Sequence, residues 1–365
     1  MSTATLADFE PQAPGPVTRR WLGEVPIYAA GFVLVALCIG LLLAKGVSPS
    51  VGGVIENARL FALFTIVLIV FDSAFSLNRA RPASPVDFLK ARYGSPDLRR
   101  AILKGLPLLM VAIMVLPFFS KMKSAIPLFN EFTWDATFIA WDRAIFFGYD
   151  AWEVLQPVFG YPVVTAALAL LYHLWFLMLY PGVMFFVFVK IDPTLRRQFF
   201  LTYMLSWALI GGAMATWLAS VGPCFIGPML GNDHFAEQVA YLNAANEQVP
   251  VMTVKVQALL LEWHGVGQNG LGSGITAMPS MHCAIAFLYW LAVRRIHAGW
   301  GKAFAAFFVL IWIGSVHLAY HYAVDGLVSV IAVAAIWWAS RKLIEWWDGV
   351  TARQPTLRTN TVPAE

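Results

Sequence analysis

The sequence predicts an all-α polytopic membrane protein of about eight transmembrane helices. Three observations carry this. Of 365 residues, 59% are hydrophobic and only 13% charged, where a soluble domain carries about 25% charged residues. Apolar runs of about 20 residues recur along the chain, the length that crosses a bilayer core as a helix. The loops between the runs are alternately rich and poor in Lys and Arg, which sorts them to the two sides of a membrane. Sheets with free edges leave backbone groups unpaired in lipid, so every span is expected to be a helix.

Residues 1–25 form a polar, Pro-rich tail that passes through Arg19-Arg20. The apolar stretch that follows is too long for a signal peptide and lacks an Ala-x-Ala site, so it reads as a retained helix over 26–44. Spans at 59–77 and 101–119 join it as an accessory group over 26–120. Segment 121–161 mixes Trp134, Asp135, Trp141, Asp142, Arg143, Tyr149, Asp150 and Trp152, the composition of a helix lying in the membrane surface. Spans follow at 162–189 and 199–220. Pro107, Pro117, Pro181, Gly182, Gly211 and Gly212 fall inside spans, where neighbouring helices satisfy the freed carbonyls. Segment 221–278 is a long loop whose middle, 234–263, predicts one or two helices and reads as a lid or binding loop. It ends in a Gly-rich stretch from Gly265 to Gly274 that lacks the strand–turn–helix setting of a nucleotide fingerprint. Spans at 279–297, 303–320 and 324–345 complete the chain, and a polar tail over 349–365 reads as disordered.

Lys and Arg set the direction. With both termini in the cytoplasm, 19 of the 25 basic residues fall inside and 6 outside. Losing or gaining one span destroys that bias. The protein is therefore expected in a plasma or inner membrane, with segments 121–161 and 221–278 on the outer, periplasmic face. No basic run interleaved with aromatics points to nucleic acid. Cys38, Cys224 and Cys283 have no Cys-x-x-Cys spacing; this argues against a thiolate metal site and against a disulfide framework, with a Cys224–Cys283 pairing on one side of the membrane as the minor alternative. No internal repeat supports a transporter of inverted halves.

The same topology brings two motifs to one face. His282 follows Pro279-Ser280 in the first turn of the sixth span, and His321 and Asp325 lie at the turn between spans seven and eight. An Asp four residues from a His fixes its tautomer and frees the other ring nitrogen as a nucleophile. A helix start with a Ser cap holds anions. One histidine to attack, a second to protonate the leaving group and an anion site fit phosphoryl transfer. Other readings use the same residues: a transporter with the histidines as a proton relay, or a zinc hydrolase built on His317, His321 and Asp325. His317 otherwise reads as a supporting donor. Glu262 and His264 precede the Gly-rich stretch and are candidates for the site wall. Asp72 is expected to pair with Arg79, and His173 to bond across helices.

Ala277-Met278-Pro279-Ser280-Met281-His282, with Gly314-Ser315-Val316 and His321-Tyr322-Ala323-Val324-Asp325-Gly326, resembles the type 2 phosphatidic acid phosphatase superfamily, in its inositol phosphorylceramide synthase-like branch. The Trp141-Asp142-Arg143 to Trp152 segment is similar to the start of that branch. The resemblance implies a catalytic domain over 121–348 with a phosphatase-type helical bundle core. It also implies His321 as the nucleophile, Asp325 as its orienting group, His282 as general acid and Ser280 as a phosphate ligand. It implies no metal or other cofactor, and a membrane lipid phosphate as substrate. The family's Lys-x6-Arg-Pro motif does not occur: Arg81-Pro82 has Ala74 where the Lys belongs. Where the phosphatases carry Ser-Arg, Gly314 and Ser315 stand here. The outside cations left to meet the phosphate are Lys255, Arg143, Lys121 and Lys123.

Overall fold

The structure, a computed structural model, describes residues 16–49, 51–265 and 273–352. The N-terminal tail up to 15, most of the Gly-rich stretch (266–272) and the tail from 353 lie outside the described residues. Among the described residues there is no strand, and seven helices are long and apolar enough to cross a membrane. The chain is an integral membrane protein built of helices.

The accessory group is α1 (Pro16–Ala44), α2 (Gly52–Ala80), the short α3 (Pro85–Tyr93) and α4 (Pro96–Ser124). Helix α4 is its anchor, packing against α1 and α2 on one side and the rest of the bundle on the other. Helix α2 buries only Asn57 and Phe61, so its remaining apolar surface is left for lipid. Asn57 ties the layers together: its Nδ2 donates to Ile113 O at 2.8 Å, and it accepts from Tyr180 Oη at 3.1 Å. Asp72 pairs with Arg92 of α3, at 2.7 and 2.6 Å, and not with Arg79 as the sequence led us to expect. The turn after Ala80 carries α3 back onto α2, which a reading of α2 alone cannot see.

The expected surface segment forms two helices, α5 (Asp135–Ile145) and α6 (Ala151–Phe159). The fourth span is α7 (Pro162–Leu174), a wide π turn over Met178–Gly182 containing Pro181, and α8 (Val183–Phe188). In that turn the Met178 carbonyl accepts from both the Val183 amide and the Tyr289 hydroxyl, which ties the fourth span to α14. The fifth span is α9 (Pro193–Leu205), a second π segment over Ser206–Met214 and α10 (Ala215–Trp217). The long loop folds into α11 (Pro223–Leu230), α12 (Ala236–Gln248) and α13 (Met252–Gly265).

Three helices close the chain: α14 (Met281–Val293), α15 (Ala298–His317) and α16 (Ala323–Ala352). The sixth expected span is shorter than the sequence led us to expect. Helix α14 has 13 residues, about 20 Å at 1.5 Å per residue, against a hydrocarbon core of about 30 Å. It begins only after Pro279 and its Ser280 cap, and ends where Arg294 stacks on Trp290 and Arg295 donates to Gln198 at 3.0 Å. Every residue from Cys283 to Tyr289 is buried, because α15, α16 and α9 surround it. An apolar helix enclosed on all sides need not match the bilayer. Helix α16 runs past the expected end at 345, to Ala352, because Arg197 binds Asp348 at 2.7 and 3.0 Å and Trp347 donates to Leu22 O at 2.7 Å.

Candidate active site

The turn between α15 and α16 is built to present His321. The Ser315 carbonyl accepts both the Tyr320 and His321 amides, at 3.0 and 3.1 Å. Carbonyls of the turn are covered by the loop helices: Gln238 donates to Val316 O and Gln257 to Leu318 O, both at 2.8 Å. The start of α16 is capped from a distance. Asp142 of α5 accepts the Ala323 and Val324 amides at 2.7 and 2.9 Å. Burial pushes the Asp142 carboxyl up to about 6 against the pull of those two bonds. Asp135 does the same work one layer back, accepting the Gly222 amide at 3.0 Å and the Tyr322 hydroxyl at 2.7 Å. Gly222 has φ +88, and a Cβ there would lie 2.7 Å from Tyr320 O; only glycine lets this loop approach the turn so closely.

Within this frame Asp325 Oδ2 lies 3.0 Å from His321 Nδ1 and accepts the Tyr322 amide at 3.1 Å. The carboxylate is fully buried and its Oδ1 has no partner. Burial first, then repulsion by the Lys123 ammonium, pushes the His321 imidazole down to about 3. At neutral pH the imidazole is therefore uncharged, with its Nδ1 in bonding reach of Asp325.

His282 faces this pair from the first turn of α14. Its ring stacks on Tyr172 at 4.2 Å and lies 4.1 Å from Trp175. Tyr172 and Trp175 stand three apart in the fourth span, on one face, and hold the imidazole between them. The His282 and His321 ring centres are 6.4 Å apart at 57°. Ser280 caps α14 through its Oγ, 3.3 Å from the Cys283 amide. Its amide meets Asp325 O at 3.4 Å, and Ser329 Oγ joins the Ser280 and Asp325 carbonyls at 2.9 and 2.7 Å. The two motifs therefore move as one unit.

Both histidines open onto a cavity of about 330 Å³. Its wall is mixed: Lys123, Tyr172, His173 and Tyr320 are polar, and Leu116, Phe119, Leu179 and Trp207 are apolar. Helix α13 roofs it with Val256, Leu259, Leu260 and Trp263.

The remaining sequence candidates lie elsewhere. His264 and Glu262 are exposed on α13, while Trp263 between them lines the cavity. Lys255 is exposed and Arg143 pairs with Asp150 at 3.6 Å; neither lines the cavity. His317 points back to Thr165, with 2.9 Å between Nε2 and Oγ1. A zinc set of His317, His321 and Asp325 does not assemble, and no group of three or more His, Cys, Asp or Glu side chains among the described residues is placed to hold a metal. His173 bonds Ala169 O of its own helix at 2.7 Å instead of a neighbouring helix. Cys224 and Cys283 are both free. Sequence reasoning passed over Tyr172, Trp175 and the cap made by Asp142; the Trp141-Asp142-Arg143 motif was the one signal that pointed to the last.

One cavity of this helical membrane protein thus brings a histidine–carboxylate pair to a second histidine. Residues 136–339 match the PAP2 superfamily, and the chain belongs to that superfamily. Membership makes it a lipid phosphatase or phosphotransferase in the broad sense. Comparison with curated proteins and with solved structures gave no match.

Proposed function

We propose that the protein transfers a phosphoryl or phospho-head-group from a membrane lipid to water or an alcohol, through a phosphohistidine on His321. The observation that carries this is the pairing of an Asp325-bonded His321 with a stacked His282, their ring centres 6.4 Å apart, in the wall of one cavity. His321 Nε2 attacks phosphorus and the bond from phosphorus to the lipid oxygen breaks. His282 gives its proton to that oxygen as it leaves. Water or an alcohol then attacks phosphorus, His282 takes its proton, and the N–P bond breaks. The amides at the start of α14 hold phosphate oxygens, while Ser280, buried and outside the cavity wall, shapes that start as its cap. The apolar side chains of the cavity wall take the lipid chain. The 19-to-6 division of basic residues supports cytoplasmic termini and a site opening to the outer face, with the catalytic domain over 121–348 and the accessory helices before it.

The test is product analysis by mass spectrometry after incubating purified protein with a panel of phospholipids, with and without free alcohols such as inositol. Wild type should release a dephosphorylated or head-group-exchanged lipid, and His321→Ala should release none. Asp325→Asn should slow turnover by about four orders of magnitude, the scale seen when the orienting carboxylate of a catalytic triad is made neutral. Full activity in both variants refutes the mechanism, and a proton-relay transporter then becomes the better reading.

A further inference from the structure

A phosphate in an apolar cavity needs a countercharge, because an unpaired buried anion is costly. The Lys and Arg expected from the family resemblance are missing, so the cation must come from elsewhere. Helix α4 lines the cavity with Leu116, Phe119, Ser120 and Lys123. That spacing is one face of a helix. Lys121 is off this face and does not reach the cavity. Among the described residues Lys123 is the sole Lys or Arg in the cavity wall, and no carboxylate shares that wall.

The position of Lys123 is fixed by the segment that carries the second histidine. Gly274 has φ +96, and a Cβ there would lie 2.8 Å from Ser124 N and 3.0 Å from Lys123 C. Ser273 and Ser124 share a hydrogen bond of 2.9 Å between their hydroxyls. Six residues further on, the same segment supplies Ser280 and then His282. The end of α4 is thereby held against the strand of chain that leads into the phosphate-binding turn.

We propose that Lys123, which lies outside the family-matched residues 136–339, is the cation that binds the substrate phosphate. The accessory helices then complete the active site instead of merely surrounding it. This rests on phosphoryl transfer at His321.

The experiment uses the purified full-length protein in detergent and orthovanadate as the phosphate analogue. It reads vanadate inhibition and vanadate-induced thermal stabilisation. A charge-assisted contact predicts that Lys123→Met weakens vanadate roughly tenfold or more. Lys123→Arg should recover most of that loss, and Lys121→Met should match wild type. Without vanadate, Lys123→Met should melt at or above the wild-type temperature, because it removes a positive charge from a largely apolar wall; Lys123→Gln is the second neutral variant. Equal vanadate affinity in wild type and the neutral variants overturns the role of Lys123 and leaves phosphoryl transfer standing. Equal losses in the Lys121 and Lys123 variants overturn it as well, since bulk charge then explains the effect. A wild type that ignores vanadate overturns both proposals.

Discussion

Asp142 and Ala323 stand 181 residues apart, yet the Asp142 carboxylate accepts the Ala323 amide at 2.7 Å and the following Val324 amide at 2.9 Å. A helix on the rim of the bundle thus caps the helix that carries Asp325. The first turn of a helix has amides with no partner inside it, and a carboxylate there also meets the positive end of the dipole.

Asp142→Ala leaves two buried amides open and should cost about 1–3 kcal/mol. Because the loosened turn holds both His321 and Asp325, kcat should fall more than KM rises. Thermal unfolding in detergent and steady-state kinetics check this; an unchanged melting temperature would show that the cap is not needed.

His282 is assigned to protonating the leaving oxygen, so its importance should depend on that oxygen. His282→Gln should lose activity of about two to four orders of magnitude toward a lipid alcohol. Toward an aryl phosphate, whose phenolate leaves unaided, the loss should be much smaller. Equal losses on both substrates would make His282 a phosphate ligand and not the acid. Trp175→Leu, which removes one wall of its aromatic clamp, should shift activity in the same direction but less.

Protonation of His321 gives a pH test. Burial holds its imidazole at about 3 when folded, while in an unfolded chain it titrates near 6.5, so only the unfolded state gains a proton as pH falls through that window. This group therefore lowers stability as pH drops from about 6.5 toward 3. Asp142, raised to about 6, acts oppositely: its contribution is present at low pH and lost as pH rises through about 6. Comparing wild type with His321→Ala at each pH cancels the Asp142 contribution. The wild-type melting temperature should fall more steeply between pH 6.5 and pH 4.5, a window set by those values. Parallel curves would mean that His321 already titrates as an exposed imidazole.

Much of this was readable from the chain. Apolar length located the seven helices long enough to cross a membrane and also the shorter α14, because lipid leaves few alternatives. The His321–Asp325 spacing foretold their closeness, although His321 precedes α16 and the bond closes over the first turn of that helix instead of running along its face. What stayed hidden depends on how helices are rotated and packed. Four basic residues were equal candidates in sequence, and only the face of α4 turned to the cavity separates Lys123 from Lys121. Likewise His264 and Trp263 are neighbours in the chain, but the rotation of α13 sends one to the surface and the other to the cavity. Asp142 looked like part of a surface helix, because nothing local says that its partner amides lie 181 residues away.

The shortness of α14 has a consequence for where in the bilayer the bond is broken. With 13 residues in α14 between the Ser280 cap and Arg294, the proposed site lies about 20 Å along the helix from Arg294, which in the proposed orientation is below the plane where head groups normally float in a core about 30 Å thick. A substrate must therefore sink, or the membrane must dimple toward it, and each ångström of mismatch carries a modest cost. Turnover measured in nanodiscs should decline as the host lipid chains lengthen, and a rate indifferent to bilayer thickness would mean that the lipid reaches His321 without leaving its own depth.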